Sequence, residues 1–167
     1  QRVARANPDG NTLFFSNNGQ QVLMPALRLA TGQELLYNPR TAFQPIMLVM
    51  ETPFVISVSS KLTITSFAEL VRAAKNNPDD LVCGWGNPTG TLLCGLLQTH
   101  ASKQIRTVFH QGEPPATQAL LQGSINVLAT TTSGAVPLRE GRQSRVIGIL
   151  GTLPSQPFPT TPILASQ

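Results

Sequence analysis

Between Ser66 and Leu150, short apolar runs alternate with helical patterns across links of only a few residues, and few folds accept that rhythm. Ser66-x-x-Glu69 forms a capping box, in which the serine oxygen and the glutamate carboxylate each satisfy an orphan N–H of a first helical turn. Phe67, Leu70, Val71 and Ala74 follow at i, i+3, i+4 and i+7, so they share one buried face, and Asn77-Pro78 ends the helix. Leu81 to Gly84 then reads as a strand, Thr91 to Ala101 as a helix, and Val108-Phe109 as the close of a second strand. Pro115 to Gln122 reads as a helix stopped by Gly123, followed by a strand over Ile125 to Ala129. Val136 to Glu140 is a short helix stopped by Gly141, and Val146 to Leu150 a last strand. This alternation predicts an α/β fold, an open parallel sheet with flanking helices.

The first third is less regular. Asn7-Pro8-Asp9-Gly10 is a turn signal, and Thr12 to Ser16 after it reads as a buried strand. A helix over Val22 to Leu29 carries Pro25, which kinks or interrupts it. Tyr37-Asn38-Pro39 opens an irregular connection that ends near Phe43. Two β-rich runs follow, Ile46 to Met50 and Phe54 to Ser59, separated by Thr52-Pro53.

The chain has 167 residues, enough for one domain or two small lobes with a real core. Charged residues are only 12%, about half the usual share, so Ser, Thr, Asn and Gln supply most of the polarity. The balance is 12 basic against 8 acidic residues, and the basic ones are scattered rather than interleaved with aromatics, which argues against nucleic acid as a partner. No apolar stretch approaches the roughly 20 residues of a membrane span. Cys83 and Cys94 lack metal-site spacing and read first as two small buried hydrophobes, with a disulfide as the alternative.

Ligands of open parallel sheets bind at the carboxyl ends of the strands, where loops lead into helix N-termini. Four loops qualify: Ser16-Asn17-Asn18-Gly19, Gly84 to Thr91, His110-Gln111-Gly112, and Thr130 to Gly134. All are rich in hydroxyls, amides and glycine and nearly free of charge. Glycine lets backbone N–H groups approach an anion, and a helix N-terminus adds unpaired donors and partial positive charge. Ordinary turns and N-caps use the same residues, so the weight rests on four such loops at equivalent strand ends rather than on any one. The candidate ligand-binding residues are Ser16, Asn17, Asn18, Asn87, Thr89, Gly90, Thr91, His110, Gln111, Gly112, Thr131 and Thr132.

Other chemistries find less support. The Gly84 to Thr91 loop lacks the Gly-Lys-Ser/Thr ending of a phosphate-binding P-loop and the dinucleotide fingerprint. His100 and His110 are the only histidines; His100 reads as an exposed or capping residue near a helix end. His110 has no Gly-x-Ser-x-Gly nucleophile beside it, and the acids fall on helices, turns and termini rather than as a pair at strand ends. No metal cluster and no cofactor motif is present.

Read in order, several segments resemble one family. Pro8-Asp9-Gly10-Asn11-Thr12-Leu13 is similar to an Ala-Asp-Gly-Tyr-Thr-Leu motif, and Tyr37-Asn38-Pro39 with Phe43-Gln44-Pro45-Ile46 to Tyr-Asp-Pro followed by Phe-x-Pro-Val. Leu81 to Gly95 resembles a strand, Gly-rich loop and helix. Leu120 to Val127 resembles Leu-Leu-x-Gly-x-Val-Asp-Leu, and Phe158-Pro159-Thr160-Thr161-Pro162 resembles Leu-Pro-Asp-Val-Pro. These belong to the substrate-binding receptors of tripartite tricarboxylate transporters, the Bug-type receptors, and their order and spacing span nearly the whole chain.

The resemblance implies a periplasmic-binding-protein type II-like fold of two lobes closing on a carboxylate-bearing solute (a dicarboxylate, a tricarboxylate or an amino acid). It implies a periplasmic location and membrane transporter components as partners, with no catalysis and no cofactor. On this reading residues 1–57 form a partial first lobe and crossover, 58–150 the second α/β lobe, and 151–167 a return segment. The family's opening strand would precede Gln1 and its closing return would follow Gln167, leaving the first lobe incomplete and a sheet edge exposed for a possible dimer. The motifs also depart from the family pattern. His110-Gln111-Gly112 stands for Tyr-Lys-Gly, Thr131 for a frequent acid, and Leu92 for a helix-starting His, which bears on ligand identity. The alternative functions are a small-molecule enzyme using His110, or a truncated remnant that binds nothing.

Overall fold

Val55, Ile56 and Val58 are wholly buried, and the six-residue run that holds them, Phe54–Ser59, is strand β1. In the computed structural model, which describes residues 1–151 and 156–164, the chain divides into two compact units, residues 1–50 and residues 51–167. Of the expected return segment 151–167, residues 152–155 and 165–167 lie outside the described residues.

The second unit is a five-stranded sheet. After β1 come helix α2 (Phe67–Asn76), β2 (Val82–Trp85), α3 (Pro88–Ala101), β3 (Arg106–Phe109), α4 (Glu113–Gln122), β4 (Val127–Thr131), α5 (Thr132–Glu140) and β5 (Ser144–Leu150). The strand order is β3-β2-β4-β1-β5. β2 pairs in parallel with both β3 and β4, as the alternation requires. β1 is the exception: it lies antiparallel between β4 and β5, with Phe54 opposite both Thr131 and Leu150. The four later strands therefore point one way, and the first runs against them.

Alternation along the strands divides the core between the two faces. Ile56, Cys83 and Val127 pack with Phe67, Leu70, Leu93 and Leu97, so α2 and α3 cover one face. Val82 and Leu128 pack with Ala116, Leu120 and Leu138, and Val55 and Ile149 with Ala135, so α4 and α5 cover the other. Asn126 ties the sheet at its lower end: its Oδ1 accepts from Val82 N–H at 2.9 Å, and its carbonyl accepts from Ser59 N–H.

Helix boundaries follow the capping chemistry. Ser66 Oγ accepts from Glu69 N–H at 3.2 Å, as the capping box predicts. The glutamate reaches one residue further back than the motif requires, accepting from Thr65 N–H (2.7 Å) and Thr65 Oγ–H (2.9 Å). Gly123 ends α4 in the left-handed region (φ 81°). The expected glycine stop of α5 is realised differently, because Gly141 keeps a negative φ and Arg142 takes φ 56°.

Cys83 and Cys94 are joined. Their Cα atoms lie 6.0 Å apart and a disulfide closes an 11-residue separation between β2 and α3. The reading as two separate buried hydrophobes is thus corrected, although both sulfurs do sit in the core. A strand feeding a helix that packs back over it brings the residue after the strand's first turn and the second helical turn to bridging distance.

The first unit contains helix α1, Met24–Ala30, preceded by one wider turn over Gly19–Leu23, with Pro25 in the first helical turn where its missing N–H costs nothing. Thr12–Ser16 is not a strand: no described backbone pairs with it, and Leu13 and Phe15 are exposed. Ile46–Met50 likewise carries strand composition without a ladder, and its five side chains are 60–78% exposed. β propensity measures fit to a pleated, half-buried surface, and neither run has that surface within its own unit. Phe14, Tyr37 and Phe43 form a small aromatic cluster, with Phe43 centroids 4.9 and 5.3 Å from its neighbours.

Two outcomes follow from this architecture. Replacing Cys83 and Cys94 together by alanine should lower unfolding free energy by about 2–4 kcal/mol in a denaturant titration, the range for a short closed loop. The hydrogen bonds from Thr65 hold the Glu69 carboxyl below the usual carboxylate range. That contribution is complete above the unfolded pKa and is lost as pH falls through the lower folded value, so Glu69→Gln should lower stability at neutral pH, converge on the wild type at low pH and so flatten the acid side of a stability–pH profile.

Candidate functional site

β2, β3 and β4 run in one direction, so the loops that follow them, Gly86-Asn87, His110 to Gly112, and the Thr131 turn, emerge at one end of the sheet. Each leads directly into a helix. Asn87 is the N-cap of α3, and its Oδ1 accepts from Gly90 N–H at 3.0 Å. Thr131 is the N-cap of α5, and its Oγ1 accepts from Gly134 N–H at 3.2 Å. Gly112 precedes α4 with φ 110°, a conformation that excludes a side chain at low cost.

One carboxylate joins the three helix starts. Glu113, the first residue of α4, accepts through Oε1 from Asn87 Nδ2 (2.9 Å) and from Thr131 N–H (3.3 Å). Its Oε2 accepts from Thr130 Oγ1 (3.1 Å) and Thr131 Oγ1 (2.8 Å). Three helix N-termini, each with partial positive charge and unpaired N–H groups, thus meet around an anion that the chain itself provides. Sequence reasoning passed over Glu113 among acids on helices and turns. The available signal was an acid directly after Gly112 and before Pro114-Pro115, the composition of a first helical turn.

Close backbone approach explains two glycines here. A Cβ on Gly86 would stand 2.1 Å from the Gly112 carbonyl oxygen, so the second and third loops touch backbone to backbone. A Cβ on Gly90 would meet Trp85 Cβ at 2.3 Å. Gly90 is therefore small because the start of α3 lies on Trp85, and it is buried rather than offered to a ligand.

The structure brings together nine of the twelve candidate residues. Thr89, Gly90 and Thr132 are buried in the helix starts; Asn87 and Thr131 are half-buried and engaged with Glu113; Thr91 and Gln111 are exposed. His110 is half-buried, its N–H donating to the Trp85 carbonyl at 2.8 Å and its Nε2 buried without a partner among the described residues. Gly112 completes the nine. Ser16, Asn17 and Asn18 belong to the first unit, where Ser16 Oγ accepts from Gln21 Nε2 and Asn17 Oδ1 from Gln20 N–H. His100 is exposed near the end of α3 and stacks edge-on against Phe67. Among the described residues, no group of three His, Cys, Asp or Glu is placed to hold a metal ion.

The whole chain, residues 1–167, matches the family described as the tripartite tricarboxylate transporter family receptor. The chain belongs to that receptor family. A UPF0065 protein of Bordetella bronchiseptica is 24% identical over 165 residues, covering 99% of this chain and 48% of its own length. Among solved structures, MatC from Rhodopseudomonas palustris with bound malate is 24% identical at a TM-score of 0.79. A second R. palustris protein, solved with adipate, is 24% identical at a TM-score of 0.81. Each likeness covers 99% of this chain and 55% of the other, and together they show a shared α/β fold. The chain spans about half the length of the curated relatives it matches.

Two substitutions test how this receptor-family chain holds its loops. Glu113→Ala strips the acceptor from Asn87, Thr130 and Thr131 and should cost about 1–3 kcal/mol in thermal or chemical unfolding. Gly86→Ala forces the two loop backbones apart and should cost a similar amount, about 1–3 kcal/mol, with a changed Trp85 fluorescence as local readout.

Proposed function

We propose that this chain contributes to a periplasmic solute-binding receptor that takes a small carboxylate-bearing organic anion, and that it hands this solute to the membrane components of a secondary transporter without transforming it. The observation that carries the reading is the meeting of three helix N-termini at the carboxyl ends of β2, β3 and β4, in a chain that matches the receptor family from end to end. Malate and adipate, bound in the two R. palustris proteins of like fold, favour a dicarboxylate over the tricarboxylate and amino-acid options.

Within the second unit, Thr91 and Gln111 are exposed polar side chains at the converging loops and, unlike the exposed Ser133, whose Oγ lies 3.0 Å from Thr131 Oγ1, are assigned to the solute. Both are neutral. Neutral donors hold a carboxylate by hydrogen bonds without the desolvation penalty of a buried ion pair, which suits a ligand that must be released again. Ser16, Asn17 and Asn18, the candidate residues of the first unit, are also assigned to a solute.

Calorimetry with malate, adipate, citrate and aspartate tests the assignment. A dicarboxylate should bind saturably, Thr91→Ala should weaken it several-fold, and Gln111→Glu should weaken it about tenfold or more by placing like charge beside a carboxylate. Affinity unchanged in both variants would remove these loops from the site, and no binding of any of the four solutes at millimolar concentration would count against the receptor reading for this chain.

A further inference from the structure

At the opposite end of the sheet the charge balance reverses. Ser144 opens β5 opposite Ser59, whereas the loops of the proposed solute site follow Thr131, opposite Phe54. Five residue steps of β1 separate the two ends, roughly 17 Å. A cavity of about 380 Å³ lies there, lined by Arg139, Arg142 and Arg145 together with Ser60, Ser144 and Phe158. Thr160 and Thr161 add two further hydroxyls, and none of the described residues lining the cavity is acidic.

Two of the guanidinium groups are held in place by neutral acceptors that leave their charge uncompensated. Arg145 Nη1 donates to the Ile64 carbonyl at 2.6 Å. Arg139 Nη1 donates to the Pro157 carbonyl, and its guanidinium lies 4.9 Å from the centroid of the Phe158 ring. The Arg142 side chain has no partner among the described residues, and its backbone holds a left-handed φ of 56°. Ser144 is only 5% exposed, and its Oγ is buried with no hydrogen-bond partner among the described residues, so the cavity's reachable donors are the three guanidinium groups and the threonine hydroxyls.

We propose that this cavity is a second anion site and that it binds a phosphate group. A carboxylate offers two oxygens and one charge, whereas a phosphate offers three or more acceptor oxygens and up to two charges. Three guanidinium groups and several hydroxyls match the latter. The cavity is larger than a bare phosphate needs, and Phe158 with Val146 supplies an apolar wall for the group that carries it. That group is either a soluble phosphorylated molecule or the headgroup of an anionic phospholipid. The site shares no residue with the strand-end loops, so it stands independently of the carboxylate-receptor reading.

The test uses the 167-residue chain with inorganic phosphate in calorimetry at constant ionic strength, and with phosphatidylcholine vesicles containing or lacking phosphatidylglycerol in a sedimentation assay. Phosphate should bind saturably, about tenfold or more weakly in Arg142→Gln and several-fold more weakly in Arg139→Gln. Arg28→Gln, which removes the same charge from the first unit, should leave binding unchanged. Vesicle binding that needs phosphatidylglycerol, is displaced by phosphate and is lost in Arg142→Gln identifies a lipid headgroup; phosphate binding without vesicle binding identifies a soluble source. Either result supports the site. Failure of the wild type to bind either probe, or losses no greater in Arg142→Gln and Arg139→Gln than in Arg28→Gln, would overturn it.

Discussion

The second unit depends on β1. Four strands run parallel, but β5 reaches the sheet only through its ladder with β1, and β4 holds its other edge against the same strand. β1 is therefore bonded on both sides and covered on both faces, and every residue from Val55 to Ser59 is buried. That position explains its composition. A strand with two covered faces cannot alternate apolar and polar residues, and the polar positions that remain, Ser57 and Ser59, are small enough to fit. The register shifts between Ile56 and Ser57 on the β5 side, where Ile147 is the extra residue of a β-bulge between Gly148 and Val146.

How much of this was legible follows from which interactions are local. The helices α2 to α5 and strands β2 to β5 are short-range patterns, and although α3, α4 and α5 start at Pro88, Glu113 and Thr132 rather than at the expected Thr91, Pro115 and Val136, the Ser66–Glu69 box and the Gly123 stop are local signals. Each can be read within a few positions. The direction of β1 could not be read this way, because Phe54-Val55-Ile56-Ser57-Val58-Ser59 carries no mark of orientation. It is settled by pairing with residues as far along as Thr131, opposite Phe54, and Val127, opposite Val58. Thr12–Ser16 and Ile46–Met50 show the converse failure. Their composition is as strand-like as that of β1, but a strand exists only where a partner offers its N–H and C=O groups.

The site was legible in outline and not in its centre. The loops after β2, β3 and β4 were identifiable from glycine, hydroxyl and amide content, and the caps made by Asn87 and Thr131 are local chemistry. Glu113 was not, because its four donors come from Asn87, Thr130 and Thr131, up to 26 residues away on either side. The same holds for the disulfide. Cys83 and Cys94 are unremarkable as a spacing, and become a bridge only once α3 has folded back over β2.

The two ends of the sheet treat charge in opposite ways, and this bears on how a chain with so few charged residues can still attract anions. At the loop end, three positive helix starts are answered internally by Glu113, whose hydrogen bonds hold the loops in register whether or not a solute is present. An incoming carboxylate there would be met by a preorganised but electrically balanced surface, so its recognition rests on the geometry of neutral donors such as Thr91 and Gln111. Geometry of that kind discriminates well between solutes while keeping each bond weak enough to break. At the other end, Arg139, Arg142 and Arg145 face one cavity with no acid among its described lining residues. Uncompensated charge gathers counter-ions over a distance comparable to the Debye length, about 8–10 Å, where neutral donors act only at contact. The excess of 4 positive charges over the whole chain is thus a poor guide to where an anion goes. What decides it is whether the local positive charge already has an internal partner, as it does at Glu113 and does not at Arg142.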